Sequence, residues 1–285
     1  MFDTIIIGSG PAGLSAALTL KQLNKNILWL GKKDLSFKIN SAEKIRNYPG
    51  LIEVSGKEMR DVFLEQIKKM DLEIVDKQVT GVYPQTGKIS VLCGSEAYEA
   101  KTIILAVGVE TVKPIAGELE NVGQGVSYCA TCDGFLYKGK EIFVYATNKN
   151  YEHEAKYLAT LAAKVYYCPI YKDIDINMAN VEIINVRPKE IKRNGLRKKD
   201  IILSDDKAIT VDGIFMLKDA VSPSVLVPGI ETDNNHIKVD RQCKTNYDGI
   251  FAAGDCTGRP YQYAKAAGEG NVCAHSVVAY LNTNK

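Results

Sequence analysis

The sequence predicts an α/β protein built from dinucleotide-fold units, on three observations. Thr4 to Ile7 is a β-branched run that enters a glycine-rich turn, Gly8-Ser9-Gly10-Pro11-Ala12-Gly13, and then a helix and a second strand. A second unit of strand, turn, helix and strand opens near Lys140, a weak repeat of the first. The chain closes on a strand, Ile250 to Ala253, the turn Gly254-Asp255 and a long helix, Gln262 to Leu281. Alternation of strand and helix patterns of this kind specifies a mainly parallel sheet flanked by helices.

The opening turn is the most specific of the three. Leu14 to Leu23 carries apolar residues at helical spacing, and Ala16 and Ala17 let the helix lie close on a sheet. Asn26 to Leu30 reads as the next strand. In such a unit Gly8 makes the tight turn, Gly10 lets a pyrophosphate approach the backbone and Gly13 permits close packing. The helix N-terminus faces the anion. Ser9, Pro11 and Ala12 complete the phosphate-facing turn. An acidic residue commonly ends the second strand to hold a ribose, but here Leu30 is followed by Gly31 and Lys32, which become the candidate contacts.

Arg46-Asn47-Tyr48-Pro49-Gly50 is a polar turn. Met59 to Met70 is an amphipathic helix. Glu73 to Val79, Gly87 to Cys93 and Ala97 to Lys101 predict small antiparallel strands, and Thr102 to Ala106 a buried parallel strand running into Val107-Gly108. Val112 to Pro114 reads as a boundary. Beyond it come strand Lys140 to Tyr145, helix Tyr151 to Ala162 and strand Lys164 to Cys168. Short strands are predicted at 181–186, 189–193, 200–203, 208–211 and 214–217, with Asn194-Gly195 a two-residue hairpin signal.

Composition excludes several classes. The chain has 285 residues, enough for two domains, with 46% hydrophobic and 25% charged residues, as in a soluble globular protein. A net charge of +2 gives no basis for nucleic-acid binding. No run reaches the length of a transmembrane helix, so no membrane partner is expected. Met1-Phe2-Asp3-Thr4 leads straight into a strand and lacks the basic start of a signal peptide, so a cytoplasmic location is expected. Seven cysteines, an odd number, then argue against a structural disulfide framework. Cys93, Cys168, Cys243, Cys256 and Cys273 read as buried or incidental thiols.

Ser127 to Gly134 holds the remaining two, Cys129 and Cys132, spaced Cys-x-x-Cys and followed by Asp133. This spacing alone is compatible with three readings. Two thiols can close a small redox ring, with a nucleophilic thiolate and an acid to move the proton. They can be half of a zinc site, although no second Cys-x-x-Cys exists and His153, His236 and His275 are scattered, so no metal is expected. Or they are buried structural thiols.

Taken together, Gly8 to Gly13, Asn47-Tyr48-Pro49-Gly50, Cys129-Ala130-Thr131-Cys132-Asp133-Gly134, Phe251-Ala252-Ala253-Gly254-Asp255 and Ala267-Gly268-Glu269-Gly270 resemble, in order and spacing, the low-molecular-weight flavin thioredoxin reductases. The resemblance covers nearly the whole chain. It implies FAD, a homodimer, and two Rossmann-like (three-layer ββα) domains, the second inserted into the first. The FAD-binding domain would be 1–112 and 244–285, and the inserted domain 113–243 would carry the dithiol. It also implies that Cys132 lies next to the flavin, that Cys129 attacks the thioredoxin disulfide, and that Asp133 is the general acid/base. Cofactor contacts would come from Gly8 to Gly13, Gly31, Lys32, Asn47, Gly108, Gly254, Asp255, Gln262 and Tyr263.

The inserted domain departs from the family pattern. Where the NADPH-binding members carry a second glycine-rich turn, this chain has Ala146-Thr147-Asn148-Lys149-Asn150-Tyr151. Where they place arginines for the 2′-phosphate, it has Cys168-Pro169-Ile170-Tyr171. Side chains would obstruct a pyrophosphate, and nothing nearby replaces the arginine fork. The pattern resembles the ferredoxin-dependent flavin thioredoxin reductases. The expected activity is electron transfer from reduced ferredoxin, through FAD and the Cys129/Cys132 dithiol, to thioredoxin. An NADPH- or deazaflavin-dependent reductase and a non-catalytic flavin redox sensor are the alternatives. Arg187 to Lys199 holds seven cations against Glu190, either as a solvated hairpin or as a docking surface for acidic ferredoxin.

Overall fold

The computed structural model describes residues 1–36, 39, 42, 44–109, 114–128, 130–195, 197–218 and 222–284. The chain divides into two compact units, Met1–Val109 with Ser222–Lys285, and Glu110–Val221. The second is therefore an insertion in the first along the sequence. Each is a three-layer α/β unit.

The outer unit begins with β1 (Phe2–Ile7), α1 (Pro11–Gln22) and β2 (Ile27–Leu30). Proline at the first helical position suits a residue whose N–H has no helical partner. Next come α2 (Gly56–Lys69), β3 (Gly81–Gln85), β4 (Lys88–Cys93) and β5 (Glu96–Leu105). A capping box starts α2: Glu58 N–H donates to Ser55 Oγ at 3.2 Å, and Ser55 N–H donates to Glu58 Oε2 at 2.7 Å.

The strand expected over 73–79 is a single bridge, Leu30 to Val75, and pairing resumes only at β3. The strands expected at 97–101 and 102–106 are one strand, β5. Its first half pairs antiparallel with β4 and its second half runs parallel to β1.

The inserted unit holds β6 (Val126–Ser127), the short helix α3 (Ala130–Asp133), β7 (Glu141–Ala146), α4 (Glu152–Leu161), β8 (Lys164–Pro169) and β9 (Val181–Ile183). Then come β10 (Pro188–Asn194), β11 (Lys198–Leu203), β12 (Ala208–Val211) and β13 (Gly213–Leu217). A parallel sheet of order β6-β13-β7-β8-β9 packs on α4 through Val144, Val165, Phe215, Ala155 and Leu158. The antiparallel β10-β11-β12 sheet is the third layer. The two-residue turn expected at Asn194-Gly195 is longer, because Asn194 pairs with Lys198.

The outer unit resumes with α5 (Pro223–Leu226), the β14 (Thr232–Asp233) and β15 (His236–Ile237) ribbon, β16 (Ile250–Ala252) and α6 (Tyr263–Thr283). The return point expected at 244 moves to 222. Leu226, Val227, Ile230 and Ile237 are buried with Ile5, Ile7, Ile103 and Ile250, so 222–243 complete the outer core. The boundary expected over 112–114 falls largely on residues outside those described.

In the outer sheet β16 lies parallel to β5. Alternation in β1 splits its side chains between two cores: Ile6 joins the α1, α2 and α6 face, while Ile5 and Ile7 join the face covered by β3 and β4. Gly270 brings α6 onto α1, since a Cβ there would stand 2.1 Å from the Ala12 carbonyl oxygen. Among the described residues no helix is long and apolar enough to cross a membrane.

Candidate functional site

In the outer unit, the turn from β1 to α1 has the geometry its glycines demand. Gly8 adopts φ +115°, and a Cβ there would lie 2.2 Å from the Ala106 carbonyl oxygen. Its own carbonyl accepts the Trp29 indole N–H at 2.9 Å. Gly10 is the extended N-cap of α1 and offers no side-chain cap, so the helix N-terminus is left for an external anion. Ser9 is buried, and a Cβ on Gly31 would meet Ser9 Oγ at 2.8 Å. Gly31 thus lies over the turn, at the end of β2. Gly108 lies beyond the end of β5 with φ +69°.

Two expected contacts far apart in sequence meet directly. Asn47 Nδ2 donates to Gln262 Oε1 at 2.7 Å. Gly254, φ +87°, brings its Cα side within reach of α1: a Cβ there would be 3.1 Å from Ala12 Cβ. Asp255 is next in the chain, and Tyr263 opens α6. Burial pushes the Tyr263 phenol above its ordinary value, and the Asp255 carboxylate adds to this. Lys32 follows Gly31 at the end of β2; its side chain is exposed and its Nζ sits 3.5 Å from Asp76 Oδ1.

Glu269 belongs to the Ala267–Gly270 block without a role of its own, and Lys265 lies outside the motifs, yet both hold the site together. Glu269 Oε2 accepts the Gly254 N–H at 2.8 Å and the Thr257 hydroxyl at 2.8 Å. Lys265 Nζ donates to the Gly254 and Gly258 carbonyls. Together they fix the 254–258 turn. The lysine–glutamate spacing of four on a predicted helix is the available signal.

A flavin dinucleotide fits these residues: glycines close the turn, the helix end is uncapped, and a polar cluster from 47, 254–255 and 262–263 belongs to the same unit. No metal-binding group of three or more His, Cys, Asp or Glu occurs among the described residues.

In the inserted unit, Asp133 ends α3 and is half-buried. Cys132 belongs to the same helix, but its side chain and all of Cys129 lie outside the described residues. Ala130 is fully buried in the unit's core, and a Cβ on Gly134 would stand 2.9 Å from Leu158. The other five cysteines are buried. Burial pushes the thiols of Cys93 up to about 11 and of Cys168 and Cys256 to about 12, which leaves them unreactive near neutral pH.

The C-terminal ends of the inserted unit's parallel strands differ from those of the outer unit. After β7, Asn148 Oδ1 accepts the Asn150 N–H at 2.9 Å, so the chain caps its own turn. Thr147 N–H donates to the Leu217 carbonyl at 3.1 Å and extends the β7–β13 ladder by one bond. Glu152, buried at the start of α4, accepts from the Tyr171 hydroxyl at 3.0 Å and the Asp175 N–H at 2.9 Å.

The family model of the pyridine nucleotide-disulphide oxidoreductases matches residues 2–151 and 171–270. Thioredoxin reductase of Bacillus subtilis is 30% identical over 300 residues, spanning 99% of this chain and 95% of that protein. A ferredoxin-flavin thioredoxin reductase from Clostridium acetobutylicum has a solved structure 44% identical to this chain, with TM-score 0.94 and coverage of 99% and 98% of the two chains. A thioredoxin reductase from Gloeobacter violaceus is 27% identical, with TM-score 0.84 and coverage of 100% and 95%. The chain therefore belongs to the pyridine nucleotide-disulphide oxidoreductases and, among them, to the thioredoxin reductases.

Proposed function

We propose that this thioredoxin reductase takes its electrons from reduced ferredoxin and not from NADPH. The observation that carries this reading is the self-capped turn after β7. In an open parallel sheet a dinucleotide binds beyond the strand ends where the order reverses, here between β7 and β13. There the Asn148 side chain occupies the Asn150 N–H that a phosphate would seek. The buried Glu152 carboxylate at the start of α4 would repel a phosphate approaching there. Beyond β8, Tyr171 hydrogen-bonds Tyr167 at 2.5 Å and offers no guanidinium. The likeness to the Clostridium protein supports the same donor.

The outer unit would hold the cofactor of the family, FAD. Gly8 to Gly13 would take its pyrophosphate on the α1 N-terminus, Gly31 would adjoin the ribose, and Asn47, Gly108, Gly254, Asp255, Gln262 and Tyr263 would contact the remainder. When bound, FAD supplies the electron pair that reduces a Cys129–Cys132 disulfide. The Cys129 thiolate then attacks the thioredoxin disulfide and forms a mixed disulfide. Cys132 displaces the thioredoxin sulfur and restores the enzyme disulfide, so thioredoxin leaves with two thiols. Asp133 gives and takes the proton. The active species is a homodimer, as the resemblance implies.

The test is anaerobic mixing of the yellow protein with NADPH and, separately, with reduced ferredoxin, monitoring the flavin band. Bleaching by ferredoxin alone is expected. Bleaching by NADPH at a matching rate overturns the donor assignment, and bleaching by neither overturns it in favour of a deazaflavin-dependent reductase or a non-catalytic sensor.

A further inference from the structure

Within the inserted unit lies a buried charge cluster that takes no part in the electron or proton steps of disulfide reduction. Glu118 is fully buried and Lys218 is 4% exposed. Lys218 Nζ donates to Glu118 Oε1 at 2.7 Å. The Tyr128 hydroxyl donates to the same oxygen at 2.6 Å, and the Ile115 N–H donates to Glu118 Oε2 at 3.0 Å. One carboxylate thus gathers three donors from three stretches of chain. Lys218 comes directly after β13, Tyr128 directly after β6, and Ile115 belongs to the loop that enters the unit.

A buried ion pair is an expensive way to fill a core. Desolvation offsets most of the Coulomb attraction, and apolar residues of similar volume stabilise as well or better. Such a cluster provides direction instead: each hydrogen bond fixes an atom to within a few tenths of an ångström. Here the fixed atom is the hydroxyl of the residue immediately before Cys129. β6, with only two residues, is a weak anchor for the redox segment that leaves it. Downstream, that segment is already held by Ala130 in the core and by Gly134 against Leu158.

We infer that the Tyr128–Glu118–Lys218 cluster positions the Cys129–Cys132 segment for thiol–disulfide exchange, with Tyr128 as the tether. This rests on the thioredoxin reductase reading but not on the choice of donor. Exchange requires a thiolate to meet a disulfide sulfur in line, and a displacement of about 1 Å at such a centre costs on the order of 10²-fold in rate.

Tyr128→Phe keeps the ring and removes the hydroxyl that donates to Glu118. The enzyme is reduced with dithionite, so that no natural donor enters, and three quantities are read: thioredoxin kcat and KM, the rate at which iodoacetamide alkylates the reduced dithiol, and the thermal midpoint. The expected result is a fall of about tenfold in kcat with KM nearly unchanged, and an altered alkylation rate, while flavin content and thermal midpoint stay close to wild type. Glu118→Gln with Lys218→Met removes both charges together and keeps an acceptor for Tyr128. It is expected to turn over faster than Tyr128→Phe. Wild-type kcat and alkylation in Tyr128→Phe overturn the proposal. So does a lowered thermal midpoint with unchanged kcat, which marks a cluster that only stabilises the fold. Failure of the thioredoxin reductase reading is distinct, because the unaltered dithionite-reduced enzyme would then not reduce thioredoxin.

Discussion

A Cβ on Gly13 would stand 2.0 Å from the Gly8 carbonyl oxygen, whereas a Cβ on Gly10 would find nothing nearer than Ser36 Cβ at 3.9 Å. Two glycines of one turn are therefore required for different reasons. Gly13 is required by the protein's own packing, whereas Gly10 borders open space, which under the proposed function a pyrophosphate would fill. Gly10→Val is expected to give folded, colourless protein, because the added Cβ meets no protein atom closer than 3.9 Å and the side chain would enter the space proposed for the pyrophosphate. Gly13→Val is expected to give little soluble protein at all. Flavin absorbance per folded chain, with circular dichroism as the measure of folding, checks both. Full flavin in Gly10→Val would remove the pyrophosphate from this turn.

The dithiol roles separate by substitution. Cys129→Ser and Cys132→Ser are each expected to abolish thioredoxin turnover, while flavin reduction by dithionite persists in both. Cys129→Ser leaves the Cys132 thiolate to form a charge-transfer band with the flavin, if Cys132 is the flavin-facing sulfur. Asp133→Asn is expected to slow turnover by on the order of 10²-fold. Wild-type disulfide reductase activity in Cys129→Ser sinks the dithiol mechanism, and an unchanged rate in Asp133→Asn moves the proton to another group.

The basic hairpin is less free than its composition implies. Lys189 pairs with Asp206, and Lys192 Nζ lies 3.2 Å from Glu190. Arg193 donates to Asn121 and Gln124, and Lys199 is buried. Arg187, Arg197 and Lys198 are exposed. Arg197→Glu with Lys198→Glu is therefore the reversal that spares the fold. If the hairpin receives ferredoxin, the ferredoxin-driven rate at low salt should fall by about tenfold and approach that of the wild type as salt rises, since at ~0.15 M exposed charges act over only about 8 Å. Stopped-flow flavin reduction across a salt series measures this. An unchanged low-salt rate assigns the hairpin to solvent.

The legible parts of the sequence are those that lie close along the chain or carry a motif. The β1–α1–β2 unit and the turn at Gly8 to Gly13 are local, and the structure agrees with them. Three features escape for physical reasons. β3 contains Pro84, which argues against a strand, yet β3 is the last strand of its sheet, where a missing N–H costs no pairing. Glu73 to Val79 has β-branched residues and yet pairs with the sheet through a single bridge, at Val75. The segment 222–243 shows no regular period, because Leu226, Val227, Ile230 and Ile237 enter the core from a short helix, a turn and a two-residue strand. In the sites, Asn47 and Gln262 came from the family pattern. Glu118 and Lys218, a hundred residues apart, are ordinary charges until folding removes water from both.

The insertion of one unit within the other dictates an order of events on the ribosome. Every strand of the inserted sheet finds its partners between Val126 and Ile214–Leu217, so that unit has its complete set of pairings once Leu217 has emerged. The outer sheet does not, because Ile103 of β5 pairs with Ile250 of β16. Domains fold as units while synthesis proceeds at about 5–20 residues per second, so the nascent chain spends seconds with a finished dithiol-bearing unit and an outer sheet whose β5 edge is still open. During that interval the edge is a template for strand pairing with other chains. Ile250 to Ala252, made later than the whole inserted unit, is the stretch that closes it.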